Sequence, residues 1–156
     1  MAETIDVVKF ELGGECYALD IHLAREIVEM IPITPVPRAP AHIAGLINLR
    51  GEVTTVIDLA PLLSIPDLET ETTKKIIVLM PEATGGANVG VIVGDVHSVI
   101  QVSEKNVEQI DEGLGTDGFV KGIIKSGGEG AEKGVEKGEL VIWLDMLRIM
   151  KDNTKY

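Results

Sequence analysis

Cys16 is the only cysteine in 156 residues, so no intrachain disulfide can form. It lies in an apolar run and reads as a small buried hydrophobe. Aromatic residues are scarce too: two Phe, two Tyr and one Trp. Packing must come from Val, Ile and Leu, and with 45% hydrophobic residues a real core can form. Positive charge is in deficit, with 14 Lys and Arg against 25 Asp and Glu. A net charge of -11 argues against nucleic acid as a partner, because phosphate contacts need a basic surface. It suits a soluble, self-repelling chain. No apolar run approaches the length of a membrane span. Met1-Ala2-Glu3-Thr4 lacks the basic start and apolar block of a secretion signal. The expectation is a cytoplasmic protein without direct membrane contact, of one ordinary domain or two very small ones.

Catalytic sets are missing as well. His22, His42 and His97 are scattered, with no Cys or carboxylate at metal-ligand spacing. Ser64, Ser98, Ser103 and Ser126 have no nucleophile-elbow setting. Gly85-Gly86 and Gly127-Gly128 carry no phosphate-loop lysine. Glu132, Glu136 and Glu139 read as a solvated charge run. No catalytic residue, metal or cofactor is expected.

What is present centres on Gly45-Leu46-Ile47-Asn48-Leu49-Arg50-Gly51-Glu52-Val53-Thr54-Thr55-Val56-Ile57-Asp58-Leu59. Asn48 is a turn former, and Gly51 can take positive φ without steric cost. Val53 to Ile57 are all β-branched and predict a strand. Arg50 sits alone at the corner, where a planar guanidinium can face a groove. Taken by itself, a turn arginine is more often simply solvated.

Short strands separated by turns account for the rest. Val7 to Leu12 and Cys16 to Ile21 predict a hairpin around Gly13-Gly14. His22 to Met30 predicts a turn of helix and then a strand. Pro32, Pro35, Pro37 and Pro40 mark an extended surface connector. Ala41-His42-Ile43-Ala44 predicts a helical turn capped by Gly45, and Ala60 to Leu63 another. Ser64 to Thr73 reads as a link between halves. Strands are expected at 75–80, 89–93, 96–102, 119–125 and 140–144. Ser126 to Glu139 reads as a mobile Gly/Glu/Lys loop. Asp145 to Lys151 predicts a closing helix with Met146, Leu147 and Met150 on one face.

The strands repeat. Cys16 to Ile21 corresponds to Asn88 to Val93, and Glu26-Ile27-Val28 to Ser98-Val99-Ile100, both at an offset of 72. Gly45-Leu46-Ile47 recurs as Gly122-Ile123-Ile124, and Gly51-Glu52 as Gly138-Glu139. Val56-Ile57-Asp58 recurs as Trp143-Leu144-Asp145. Two similar halves of roughly five short strands suggest barrels. With exposed strand edges, they form a scaffold for protein partners.

Tyr17-Ala18-Leu19-Asp20-Ile21, Arg25-Glu26-Ile27-Val28, Ile33-Thr34-Pro35-Val36-Pro37, Gly45 to Gly51 and Val56-Ile57-Asp58-Leu59 together resemble the CheW family of chemotaxis coupling proteins. The match spans about residues 5 to 150, and the Asn-Leu-Arg-Gly corner is its most distinctive mark. The resemblance implies a mainly β fold, two five-stranded SH3-like barrels packed together in one domain. The first barrel would cover about 15–66 and the second about 74–151, with room for the N-terminal strand to exchange between halves. It also implies a non-enzymatic adaptor joining the cytoplasmic tips of chemoreceptors to the histidine kinase CheA. The regulatory domain of that kinase shares the fold, so the two can alternate in rings, while the adaptor alone is a monomer.

Carried onto this chain, the receptor groove would use Ala24, Val28, Gly45, Asn48, Arg50 and Val99. Val28 and Val99 read equally well as ordinary core. Glu26 and Arg50 would form a signalling pair whose side chains meet near the groove. Kinase binding would use Ile43, Ala44, Glu52, Val53 and Thr54. The loop at 126–139 is longer than the family pattern and is acidic. An alternative is a coupling module of another two-component system, binding a kinase without chemoreceptors. A small hydrolase lacks a nucleophile–base set.

Overall fold

The computed structural model describes residues 4–65, 74–108, 118–125 and 138–153. Most of the link expected at Ser64 to Thr73 and most of the Gly/Glu/Lys loop expected at Ser126 to Glu139 lie outside them. The strands are β1 (Thr4–Leu12), β2 (Glu15–Asp20), β3 (Ala24–Glu29), β4 (Ile43–Leu49), β5 (Glu52–Asp58) and β6 (Lys75–Leu79). They continue with β7 (Val89–Val93), β8 (Val96–Ser103), β9 (Val107–Glu108), β10 (Val120–Lys125) and β11 (Leu140–Leu144). Helix α1 (Leu59–Leu62) follows β5, and α2 (Met146–Asn153) follows β11.

Two sheets result, ordered β8-β1-β2-β11-β10-β9 and β3-β6-β7-β5-β4. The architecture is the mainly β, two-lobed SH3-like fold expected, with short helices. The two-residue β9 gives one sheet a sixth member among the described residues. None of the described helices is long and apolar enough to cross a membrane.

The sequence repeat can be followed strand by strand. β2 corresponds to β7, β3 to β8, β4 to β10 and β5 to β11, and equivalent strands hold equivalent places. β2 runs parallel to β11 and β7 runs parallel to β5. Yet the first hairpin of each repeat sits in the other repeat's sheet. β1 and β2 join β8, β10 and β11, while β6 and β7 join β3, β4 and β5. The boundaries at about 15–66 and 74–151 therefore divide the sequence repeat, and the sheets cut across them.

The exchanged strands are covered on both faces. Val7 belongs to the core inside the six-stranded lobe, and Val8 and Phe10 to a central core between the sheets. Ile76 and Val78 line the inside of the five-stranded lobe, and Ile77 and Leu79 reach the central core. Such strands read as continuous apolar runs, as at Ile76-Ile77-Val78-Leu79.

Each repeat ends by capping a helix with aspartate. The Ala60 N–H donates to Asp58 Oδ1 at 3.2 Å, and the Arg148 N–H donates to Asp145 Oδ1 at 3.1 Å. In α2, Met146, Ile149 and Met150 are buried, at i, i+3 and i+4. Leu147, expected on that face, is exposed instead. The helical turn expected at Ala41 to Ala44 does not form. Ile43 begins β4, pairs with Ile57 and is buried in the central core.

Candidate partner-binding surface

The corner is a tight hairpin. Leu49 pairs with Glu52, leaving Arg50 and Gly51 as a two-residue loop. Both take positive φ, 51° and 87°, the pattern of a type I′ turn. Glycine adopts this freely, whereas a residue with a side chain is strained by roughly 1 kcal/mol or more. Two contacts hold Arg50 there. The Gly51 N–H donates to Asn48 Oδ1 at 2.9 Å, closing the turn. The Arg50 guanidinium donates to the Glu26 carboxylate in an ion pair.

That ion pair has a topological meaning. Glu26 lies on β3 and Arg50 at the tip of the β4–β5 hairpin, and β3 and β4 are opposite edges of the five-stranded sheet. Their side chains can meet only because the sheet curls round on itself. Val28 of β3 and Leu49 of β4 pack against the same lobe core, as closure requires. The hydrogen bond from Arg50 holds the Glu26 carboxyl below the usual glutamate range, and Arg25 adds to the pull. The same bond raises the Arg50 guanidinium further. Arg50 nonetheless keeps most of its side chain in solvent, 62% exposed.

Gly45 sits one step behind the corner at φ 146°, where β4 shifts register between Ile43 and Gly45. The connector crosses there. Thr34 and Leu46 exchange backbone hydrogen bonds at 2.8 Å each way, covering the outer edge of β4. A Cβ on Gly45 would lie 2.3 Å from the Thr34 carbonyl oxygen. Gly45 is buried, and its lack of a Cβ permits this crossing.

The other expected receptor positions divide. Along β3, Ala24, Glu26 and Val28 are half-buried, and Arg25, Ile27 and Glu29 are exposed. Ala24 packs on the central core and Val28 on the five-stranded lobe's core. Asn48 is exposed but occupied with the turn. Val99, on the edge strand β8, is 55% exposed. Ile27 escaped the sequence reading: it is 42% exposed on the edge strand β3. Its signal was the repeat, which places it opposite Val99 at the offset of 72.

The expected kinase patch shrinks. Ile43 is buried in the central core, and Thr54 is buried with its methyl towards Gly90. Both side chains face inward rather than towards solvent. Ala44 is half-buried against the five-stranded lobe's core. Glu52 and Val53 remain at the surface, with Val53 66% exposed.

Fold and corner together define a two-lobed SH3-like β protein with an arginine-bearing hairpin closing one lobe. A family model for the CheW-like domain matches residues 6–154. A chemotaxis protein CheW from Bacillus subtilis is 35% identical over 121 residues, 76% of each chain. One from Treponema pallidum is 30% identical over 132 residues, covering 80% of this chain and 75% of that one. The crystal structure of the scaffolding protein TtCheW from Thermoanaerobacter tengcongensis superposes with a TM-score of 0.79 at 30% identity. That match covers 98% of this chain and 92% of the other. The chain belongs to the CheW-like family.

Proposed function

We propose that this protein is a non-enzymatic cytoplasmic adaptor of bacterial chemotaxis, coupling the cytoplasmic tips of chemoreceptors to the histidine kinase CheA. The observation that carries the reading is the Glu26–Arg50 pair, which closes the five-stranded lobe while leaving the guanidinium largely in solvent. A closed lobe supplies a rigid wall, and a fixed exposed guanidinium supplies several donors for a partner's polar groups. The receptor's helical tip would lie along the edge strands, using Ile27, Val99 and Arg50 and resting on Ala24 and Val28. The kinase would use the outer face of the β4–β5 hairpin at Glu52 and Val53. Alone the adaptor is a monomer, and it enters rings only with the kinase's regulatory domain.

Co-sedimentation with receptor cytoplasmic fragments and CheA tests this. Wild type should enter a ternary assembly. Arg50→Gly, which keeps the positive-φ turn, should reduce receptor recovery while its melting temperature stays near wild type. Equal recovery of both proteins would remove Arg50 from the interface, and absence of any assembly would overturn the adaptor reading.

A further inference from the structure

Glu11, Asp95 and His97 offer three ligand atoms that all lie within 4.8 Å of one another. We infer that they form a binding site for a divalent transition-metal ion of zinc-like character. Sequence spacing conceals the group, because Glu11 stands 84 residues before Asp95.

Three features assemble it. Glu11 is the penultimate residue of β1, and its N–H donates to the Asp95 carbonyl at 2.8 Å. The Gly94 N–H donates back to the Glu11 carbonyl, also at 2.8 Å. The two ligand-bearing segments are therefore locked in register. His97 is the extra residue of a β-bulge: Lys9 pairs with Ser98 and Phe10 with Val96, so His97 has no ladder partner. A bulge re-aims its side chain, and here the imidazole Nε2 comes 3.4 Å from Glu11 Oε1. Ligand bonds of about 2.0–2.1 Å in a tetrahedron put neighbouring ligand atoms about 3.3–3.4 Å apart. The His97–Glu11 separation is already that of one edge.

The donor set selects the ion. One imidazole with two carboxylates suits zinc and its first-row neighbours, whereas magnesium and calcium prefer oxygen alone. Three protein ligands leave a fourth position for water. The ion would bridge the exchanged β1–β2 hairpin to the Gly94–Asp95 crossing, where the chain leaves the five-stranded sheet for the six-stranded one. It would act as a staple between the neighbouring strands β1 and β8 where the chain enters the six-stranded sheet, stabilising the folded state by mass action.

Titrating the full-length, metal-stripped chain with zinc chloride by calorimetry tests the site, and cobalt(II) gives a visible d–d band as a second readout. One equivalent should bind, and zinc should raise the melting temperature. His97→Ala and Asp95→Asn should each weaken binding roughly tenfold or more and abolish the melting shift. His22→Ala should leave both intact. Circular dichroism of each variant confirms that it is folded. Absence of saturable binding, or binding untouched by His97→Ala, would overturn the proposal.

Discussion

Ile27 and Val99 occupy the same place in the two repeats and share the same exposed state. Ile27 pairs with Ile77 from the edge of one sheet, and Val99 pairs with Val8 from the edge of the other. They are 42% and 55% exposed. Single exposed apolar residues are unremarkable, but two at pseudo-equivalent edge positions form a duplicated feature that folding does not demand.

If the receptor tip docks along these edges, Ile27→Asp and Val99→Asp should each weaken binding to receptor fragments by about 1 kcal/mol, roughly fivefold. Both side chains are exposed on edge strands, so stability should change by no more than about 0.5 kcal/mol. Titrated co-sedimentation paired with urea unfolding separates the two effects. Unchanged affinity for both variants would leave the edges without a binding role.

The six-stranded lobe depends on a buried carboxylate. Trp143 Nε1 donates to Asp20 Oδ1 at 2.6 Å, Lys121 Nζ donates to Asp20 Oδ2 at 3.1 Å, and the ammonium lies 4.5 Å from the indole centroid. The three residues tie β2, part of the exchanged hairpin, to β10 and β11. Asp20→Ala should cost about 1–3 kcal/mol, because the buried indole N–H loses its acceptor. Asp20→Asn keeps an acceptor at Oδ1 and should lose less. Lys121→Met removes a half-exposed partner and should cost at most about 1 kcal/mol. Trp143, the sole tryptophan, reports each unfolding curve by its fluorescence.

Much of this was legible in the chain. Turn chemistry is local, so Asn48, Arg50 and Gly51 announced the corner. Matched segments such as Cys16 to Ile21 and Asn88 to Val93 announced the duplication. The Glu26–Arg50 contact came from the family resemblance, since nothing in the spacing of those two residues requires it. The family resemblance left room for the N-terminal strand to exchange, but exchange of both first hairpins was not legible, because β1 and β6 look alike and a repeat does not say which sheet each enters. The phase of β3 was equally hidden. Ile27 and Val28 are both β-branched, and turning Glu26 towards Arg50 decides which of them faces inward. Ile43 and Thr54 seemed accessible beside a surface corner, yet β4 and β5 alternate and send both side chains inside.

Gly45→Ala tests the crossing of the connector over β4. The added methyl would meet the Thr34 carbonyl oxygen at 2.3 Å, and φ of 146° is strained for alanine. The backbone carbonyl cannot swing aside as a flexible side chain could, so the Thr34–Leu46 bridge should open. A loss of about 1–3 kcal/mol is expected, with faster hydrogen exchange at the Thr34 and Leu46 amides specifically. Wild-type protection at both amides would show that the crossing tolerates a side chain.

The corner ion pair should leave a signature in acid. Arg50 lowers the pKa of Glu26 in the folded chain relative to the unfolded one. The folded state therefore holds the Glu26 proton less tightly. The pair's stabilising contribution is fully present above the unfolded value and is lost as pH falls through the lower folded value. Salt should shrink it, because Arg50 is exposed. Following the Glu26 side-chain carboxyl by NMR should give a midpoint below the ordinary glutamate value in wild type and close to it in Arg50→Gly. Raising ionic strength should move the wild-type midpoint towards that of the variant. Coincident midpoints at low salt would mean that the two side chains do not hold each other in solution, and closure of the five-stranded lobe would then rest on apolar packing such as that of Val28 and Leu49 on its core.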